Sequence, residues 1–203
     1  MNRSAPEPDP TDAELVQRAQ GGDPAAFAGL VSRYQDRVFN TCYRMCHHQA
    51  DALDLTQAVF LRALEALPRY RSSANFFTWM YRIALNLMLT DRRRHRRRRT
   101  LPLDASGRHT PAEPAAHEPD GSEVVRRQET AARVQWALDQ LDDEFRAAVV
   151  LKDIENLNYA TIAEILGVPV GTVKSRIHRG RLLLRDLLNE ERTAVDAART
   201  PPA

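Results

Sequence analysis

The stretch from Asn158 to Arg185, NYATIAEILGVPVGTVKSRIHRGRLLLR, constrains this chain most. Its apolar residues fall at helical spacing in two blocks separated by a breaker. Asn158 suits an N-cap, because its side chain can accept from an otherwise unpaired backbone N–H. Ile162, Ile165 and Leu166 form the first stripe. Small Ala163 lets a second helix approach closely. Gly167 stands where the first helix should end with positive φ, Val168 fills the turn, and Pro169 blocks continuation. Val173, Ile177 and Leu184, at i, i+4 and i+11, give the second helix a buried back.

The other face of that second helix carries Thr172, Lys174, Ser175, Arg176, His178 and Arg179. From Gly171 to Arg185 there are five basic residues and no acid. A helix with a packed back and a cationic, hydrogen-bonding front suits a DNA major groove. Arg176 and Lys174 are the expected guanine readers, through O6 and N7. Thr172 and Ser175 can take a phosphate or a base edge. The backbone N–H groups near Val170 and Gly171 form a helix N-terminus that can hold a phosphate. The bland alternative is a solvated amphipathic helix closing a bundle. A charge run alone would fit it, but the glycine turn, the Ala and the Val-x-x-x-Ile back together do not.

Net charge over the 203 residues is only +2, yet the charge is unevenly placed. Residues 91–99 (DRRRHRRRR) hold seven Arg and one Asp, whereas residues 132–170 hold seven acids against three bases. Two basic blocks point to a polyanion. Seven neighbouring guanidinium groups repel one another unless something neutralises them, and DNA phosphates would do so.

Helical periodicity runs through the rest, and no convincing alternating strand appears, so the expected fold is all-α. Residues 1–10 are Pro-rich and expected to be disordered. Thr11-x-x-Glu14 is a capping box for a short helix reaching Gly21-Gly22. Asp23-Pro24 opens a long helix with Phe27, Leu30, Val31, Tyr34 and Val38 on one side. The next helix is expected from Ala50 to Leu67, ended by Pro68. Its core face holds Leu55, Val59, Ala63 and Leu67, and Asp51, Asp54, Gln57 and Glu65 lie outside. A polar loop, 69–75, precedes a helix from Phe76 to about Arg98. Most of its opening run, Phe76 to Tyr81, is expected in a core, with Trp79 and Ile83 as a buried pair. The alternative is stacking on unpaired bases, for which aromatic faces need no sequence.

Prolines and glycines then break helix structure across 100–122, a flexible linker. Fully stretched it spans roughly 75–80 Å at ~3.3–3.6 Å per residue. The expected organisation is therefore a helical bundle over 11–99, a linker over 100–122 and a second helical domain over 123–190. A frayed tail over 191–203 follows. In the second domain Val134, Leu138 and Leu141 line one helix. Asp142 or Asp143 caps the next, which holds Phe145, Val149, Val150 and Ile154.

Cys42 and Cys46 give no disulfide framework, and at i, i+4 on a helix they cannot bridge without distortion. Followed by His47 and His48 they invite a zinc reading. A mid-helix position, however, favours ordinary buried thiols, so no metal site is expected. No Gly-rich phosphate loop, Ser/His/Asp set or paired catalytic carboxylate is present, so neither cofactor nor enzyme activity is expected. With no apolar leader and no bilayer-length apolar run, the expectation is a soluble cytoplasmic protein without membrane insertion.

Two separate stretches resemble one family. The segment Asp51-Ala-Leu-Asp-Leu-Thr-Gln-Ala-Val-Phe-Leu-Arg-Ala, with Tyr70 to Asn86, is similar to region 2 of bacterial extracytoplasmic-function (ECF) sigma factors of the sigma-70 family. Leu157 to Leu184, centred on GTVKSRIHRGR, is similar to their region 4. Order and separation agree too. The resemblance implies a sigma factor that joins core RNA polymerase and recognises −10 and −35 promoter elements. It implies that Asp51, Asp54 and Gln57, otherwise a solvated face, dock on the β′ coiled coil. It implies that the loop Tyr70, Arg71, Ser72, Ser73, Ala74 and Asn75 holds a flipped non-template base. Asn86, Thr90 and the start of the Arg run (Arg92, Arg93, Arg94) would touch the upstream edge of the −10 element. Region 4 would read the −35 element and rest on the β flap, and an anti-sigma partner would restrain the whole. The loop departs from the family's usual Phe-Arg-Gly at Tyr70-Arg71-Ser72-Ser73, so a different base preference is expected.

The rivals are a helix-turn-helix regulator that never joins polymerase and, more remotely, a DNA recombinase. Response regulators, many of which carry a similar Thr-Val-Lys turn, usually have a βαβ receiver domain before it, and a recombinase would need a strand-bearing catalytic domain; neither pattern is visible.

Overall fold

The computed structural model describes residues 9–71, 75–100 and 121–199, without side chains for 96–100, 121–127 and 191–199. Among the described residues every regular element is helical. The loop residues Ser72, Ser73 and Ala74, most of the linker and the first eight residues lie outside them.

Local chemistry sets the first bundle. Helix α1 (Asp12–Gln20) starts at the expected capping box, with Thr11 and Glu14 satisfying each other's backbone N–H groups. Helix α2 (Pro24–Cys46) starts with the Asp23 carboxylate accepting from Ala25 and Ala26. It ends at His47, which adopts a left-handed conformation, and His48 then caps α3 (Gln49–Ala66) through its ring nitrogen. The two histidines thus turn the chain between helices. The Cys42 and Cys46 thiols are pushed up by burial, to about 12 and about 11.

Helix α3 stops at Ala66, and Pro68 sits inside a following 3-10 turn, Leu67–Arg69, rather than at the helix end. Helix α4 runs Phe76–Thr100. Leu30, Val38 and Met45 from α2 meet Ala52, Val59 and Phe60 from α3 and Met80, Tyr81 and Met88 from α4 in one core. Phe76, Phe77 and Thr78 are buried as expected of core residues. Trp79 and Ile83 are not a buried pair: both are half-buried. Trp79 instead packs at a tilt of 51° against Tyr70, centroids 4.9 Å apart.

The second bundle holds α5 (Gly121–Gln140), α6 (Asp143–Val149), a π-turn (Val150–Ile154), α7 (Tyr159–Leu166) and α8 (Val170–Arg199). Asp142 takes the N-cap position of α6. The π-turn rotates Ile154 out of the core expected for it, to 40% exposure. Helix α8 continues to Arg199 where a frayed tail was expected. Residues 191–199 (ERTAVDAAR) contain no Gly or Pro and are mostly tolerant of helix, so nothing stops the propagation. The two bundles touch: α2 packs on α5 and on the π-turn, and α4 packs on α7.

Candidate nucleic-acid and polymerase interfaces

The helix-turn-helix forms as its sequence dictates. The Asn158 side chain accepts from Thr161 N–H at 2.9 Å, and Gly167 adopts φ 65° at the end of α7. Ile162, Ile165, Val173 and Ile177 are buried between α7 and α8. Gly180 is the contact point of α8 with α6, because a Cβ there would lie 2.7 Å from Val149 Cγ2. That packing turns Val170, Gly171, Lys174, Ser175, His178 and Arg179 outward, with Thr172 half-buried.

Arg176 is held differently. Its guanidinium lies 2.6 Å from the Glu144 carboxylate of α6, and its side chain is 23% exposed. Partly exposed pairs of this kind contribute about 0–1 kcal/mol, so a guanine edge or a phosphate can displace Glu144. Tyr159 carries both Lys152 and Lys174 over its ring, 5.1 and 5.6 Å from the centroid. Sequence reasoning passed over this aromatic platform, although Tyr directly after the cap was its visible signal.

On the first bundle, Tyr70, Arg71, Asn75 and Phe76 line a cleft of about 650 Å³ whose opposite wall is α1, with Asp12, Gln17 and Gln20. Gln20 Nε2 donates to the carbonyls of Leu67 and Tyr70, both at 2.9 Å, and so fixes how the chain enters the loop. Asn75 Oδ1 caps α4 by accepting from Phe77 N–H at 2.9 Å. Tyr70 meets Phe76 edge-on at 5.9 Å, and burial raises its hydroxyl pKa. The result is a cleft with the rings of Tyr70 and Phe76 in its lining. The α1 wall was invisible in the sequence, since only the fold brings residues 12–20 beside 70–76.

Along α4, Asn86 and Thr90 are exposed one turn apart, and Thr90 Oγ1 donates to Asn86 O at 2.7 Å. Arg93 and Arg94 are exposed. Arg92 does not share their face. It is turned to the second bundle, donating to Asp143 Oδ1 at 2.6 Å and to Met45 O at 2.8 Å. The carboxylates of the second bundle draw it there. Asp139 nearby is pushed up by burial, opposed by His47 and Arg92.

Asp54 and Gln57 are exposed at i, i+3 on α3, while Asp51 is half-buried beside His48, 3.5 Å away. Gln57 also lines an apolar groove of about 630 Å³ between α2 and α3, whereas Asp51 and Asp54 line a depression on the α4 side. Leu53, Leu61 and Leu64 stand on the rim of the groove, 48%, 62% and 47% exposed. A polar outer face was expected on α3. Its leucines are too many for one core stripe, and the surplus forms a second, outward one.

Comparison with known proteins converges on one family. Sigma-70 region 2 matches residues 30–98, and Sigma-70, region 4 matches residues 131–184. The ECF RNA polymerase sigma factor SigE of Mycolicibacterium smegmatis is 41% identical over 186 residues, covering 90% of this chain and 70% of the relative. The ECF RNA polymerase sigma factor SigW of Bacillus subtilis is 35% identical, covering 86% of this chain and 95% of the relative. Among solved structures, CnrH in complex with the cytosolic domain of CnrY superposes with a TM-score of 0.67 at 28% identity, covering 88% of this chain and 97% of CnrH.

Proposed function

The chain belongs to the extracytoplasmic-function group of the sigma-70 family, and on that premise we propose how its residues divide the work. As a sigma factor it joins core RNA polymerase and directs transcription initiation at promoters with −10 and −35 elements. Residues 11–99 act as the region 2 module and 123–190 as the region 4 module, tethered through 100–122.

Recognition of the −35 element falls to the outer face of α8. Lys174 and Arg176 read base edges, while Thr172, Ser175, His178 and Arg179 and the N–H groups at Val170 and Gly171 serve edges or phosphates. The cleft at Tyr70, Arg71 and Asn75 takes an unpaired base, stacked toward Trp79. Asn86, Thr90, Arg93 and Arg94 follow the upstream edge of the same element. Extruding a base costs a few kcal/mol, which stacking in a snug cleft returns.

Polymerase docking falls to Asp51, Asp54 and Gln57 with the leucine-rimmed groove beside them. That pairing of the exposed polar residues Asp54 and Gln57 with an apolar groove on one helix carries the reading. A regulator that never joins polymerase has no use for it. The chain performs no catalysis of its own, works in the cytoplasm, and is restrained by an anti-sigma protein. Among the described residues no helix is long and apolar enough to cross a membrane.

Charge reversal tests the docking face. Asp54→Arg puts a cation where the face offers an acid, and juxtaposed like charges cost several kcal/mol at an interface. Co-purification with core polymerase should fall about a hundredfold or more. Unchanged co-purification would reject the assignment.

A further inference from the structure

The cleft between α1 and the loop has two walls, and most of the polar groups on the α1 side work for the fold. The Asp12 carboxylate accepts from the Arg33 guanidinium at 2.5 Å and from the Tyr34 hydroxyl, which ties the start of α1 to α2. Gln20 spends its amide N–H groups on the carbonyls of Leu67 and Tyr70. Leu15 and Val16 are buried. Gly29 of α2 lets Leu15 approach closely, since a Cβ there would meet Leu15 Cδ2 at 3.3 Å. Packed and tethered at both ends, the backbone of this wall is fixed. Gln17 shares a face with Gln20, three residues away, and is exposed at the cleft. Among the described residues neither the donor nor the acceptor of its amide has a hydrogen-bond partner.

On the loop side, Asn75 Oδ1 is committed to Phe77 N–H, which leaves its Nδ2. Arg71 is exposed and has no partner among the described residues. These two side chains therefore offer donors alone. Gln17 adds a carbonyl acceptor from the facing wall. We propose that Gln17 is a specificity-determining residue for the base extruded into this cleft. Its Oε1 accepts from the exocyclic amino group of the base, while Arg71 and Asn75 donate to acceptors on the same base. The proposal rests on reading the cleft as the site of the unpaired base.

Base chemistry sets the direction of the preference. A flipped base is recognised through the edge that pairing has freed. Adenine, cytosine and guanine each carry an exocyclic amino donor, and thymine carries none. Thymine offers carbonyl oxygens to both walls, which suits Arg71 and Asn75 but sets a carbonyl against the Gln17 acceptor. Turning the amide over trades that conflict for a third donor in a cleft already supplied with donors. Gln17 thus selects against thymine by about fivefold, the net yield of one such hydrogen bond.

The test uses the full chain assembled with core polymerase. A promoter that this assembly transcribes supplies the frame, its −10 element is randomised, and enrichment among transcribed templates gives the preference at each position. Gln17→Met keeps the length of the side chain and removes both polar ends. Gln17→Lys offers a donor alone. Because Gln17 is exposed and unbonded among the described residues, both variants should match the parent in thermal unfolding and in core docking. The parent should disfavour thymine at one −10 position by about fivefold. Gln17→Met should erase that preference and Gln17→Lys should reverse it, with the other positions untouched. Arg71→Ala should change the same position. If Arg71→Ala alters one position while both Gln17 variants behave as the parent, Gln17 is not a reader and the cleft remains the base site. If none of the three variants changes any −10 preference, the cleft is not the base site and the proposal falls with it. Gln17 variants that act at a different position from Arg71→Ala would overturn the sharing of one base by the two walls.

Discussion

The two basic stretches of this protein have similar compositions and opposite situations. On α8, Lys174 and Arg179 project from a helix whose back is fully engaged, while Arg176 pairs with Glu144, Arg181 with Asp153 and Arg185 with Asp186. At the start of the α4 run, Arg92 is drawn away from its neighbours by carboxylates more than forty residues further along the chain. Density of positive charge identifies a polyanion-binding protein, but it does not say which cation is available. Availability is decided by the acids that the fold brings close. In the second module one helix carries the whole of the proposed reading face. The first module assembles its surface from α1, α3, α4 and a loop, so its parts depend on one another.

The contrast can be broken most forcefully at the back of α8. Gly180→Val would drive a branched side chain into Val149, where even a Cβ lies at 2.7 Å. Overpacking of this kind costs about 1–3 kcal/mol, and relief would need α8 to move off α6. We expect thermal unfolding of the second module to fall by roughly 4–8 °C per kcal/mol lost, with −35 binding lost and core docking through the first module kept. A variant with parental stability would show that the close approach is not required.

A smaller effect is expected from the groove. Leu61 is 62% exposed and supports no core, so Leu61→Asp should leave stability nearly unchanged. If polymerase covers it, losing that burial costs about 1.5–3 kcal/mol, a tenfold to hundredfold drop in core affinity. Titration of core enzyme with labelled protein measures this, and an unaltered constant would remove the groove from the interface.

Arg176→Ala should weaken −35 binding by about 1–3 kcal/mol and relax preference at one position, part of which is offset because Glu144 no longer has to be displaced. Smallest of all, Glu144→Gln should tighten −35 binding by at most about fivefold, corresponding to about 1 kcal/mol for a partly exposed pair. A selection from randomised −35 duplexes reads both variants. A Glu144→Gln protein that binds more weakly would mean that the pair positions Arg176 for DNA instead of restraining it.

The helix-turn-helix was legible because each of its requirements is local. Asn158, Gly167 and Pro169 set the ends of α7, and Val173 and Ile177 set the back of α8. The core of the first module was legible from periodicity for the same reason. What escaped involves partners distant in sequence. Gln20 supports the loop at Tyr70 only because α1 folds across it. The outward leucines of α3 escaped because nothing in their own helix tells that α2 leaves them uncovered. The pairing of Arg37 and Arg92 with Glu155 and Asp143 joins residues more than fifty positions apart. The docking role proposed for Asp54 and Gln57 comes from family resemblance, since an exposed polar row on a helix is otherwise only a solvated face.

Reconstituted transcription tests the central claim most directly. Purified core polymerase, the full chain and a fragment library of host DNA are combined, and the 5′ ends of the RNA are sequenced. The account predicts new start sites preceded by two shared sequence elements at fixed spacing, and their loss with Asp54→Arg. RNA ends identical with and without the chain would contradict it.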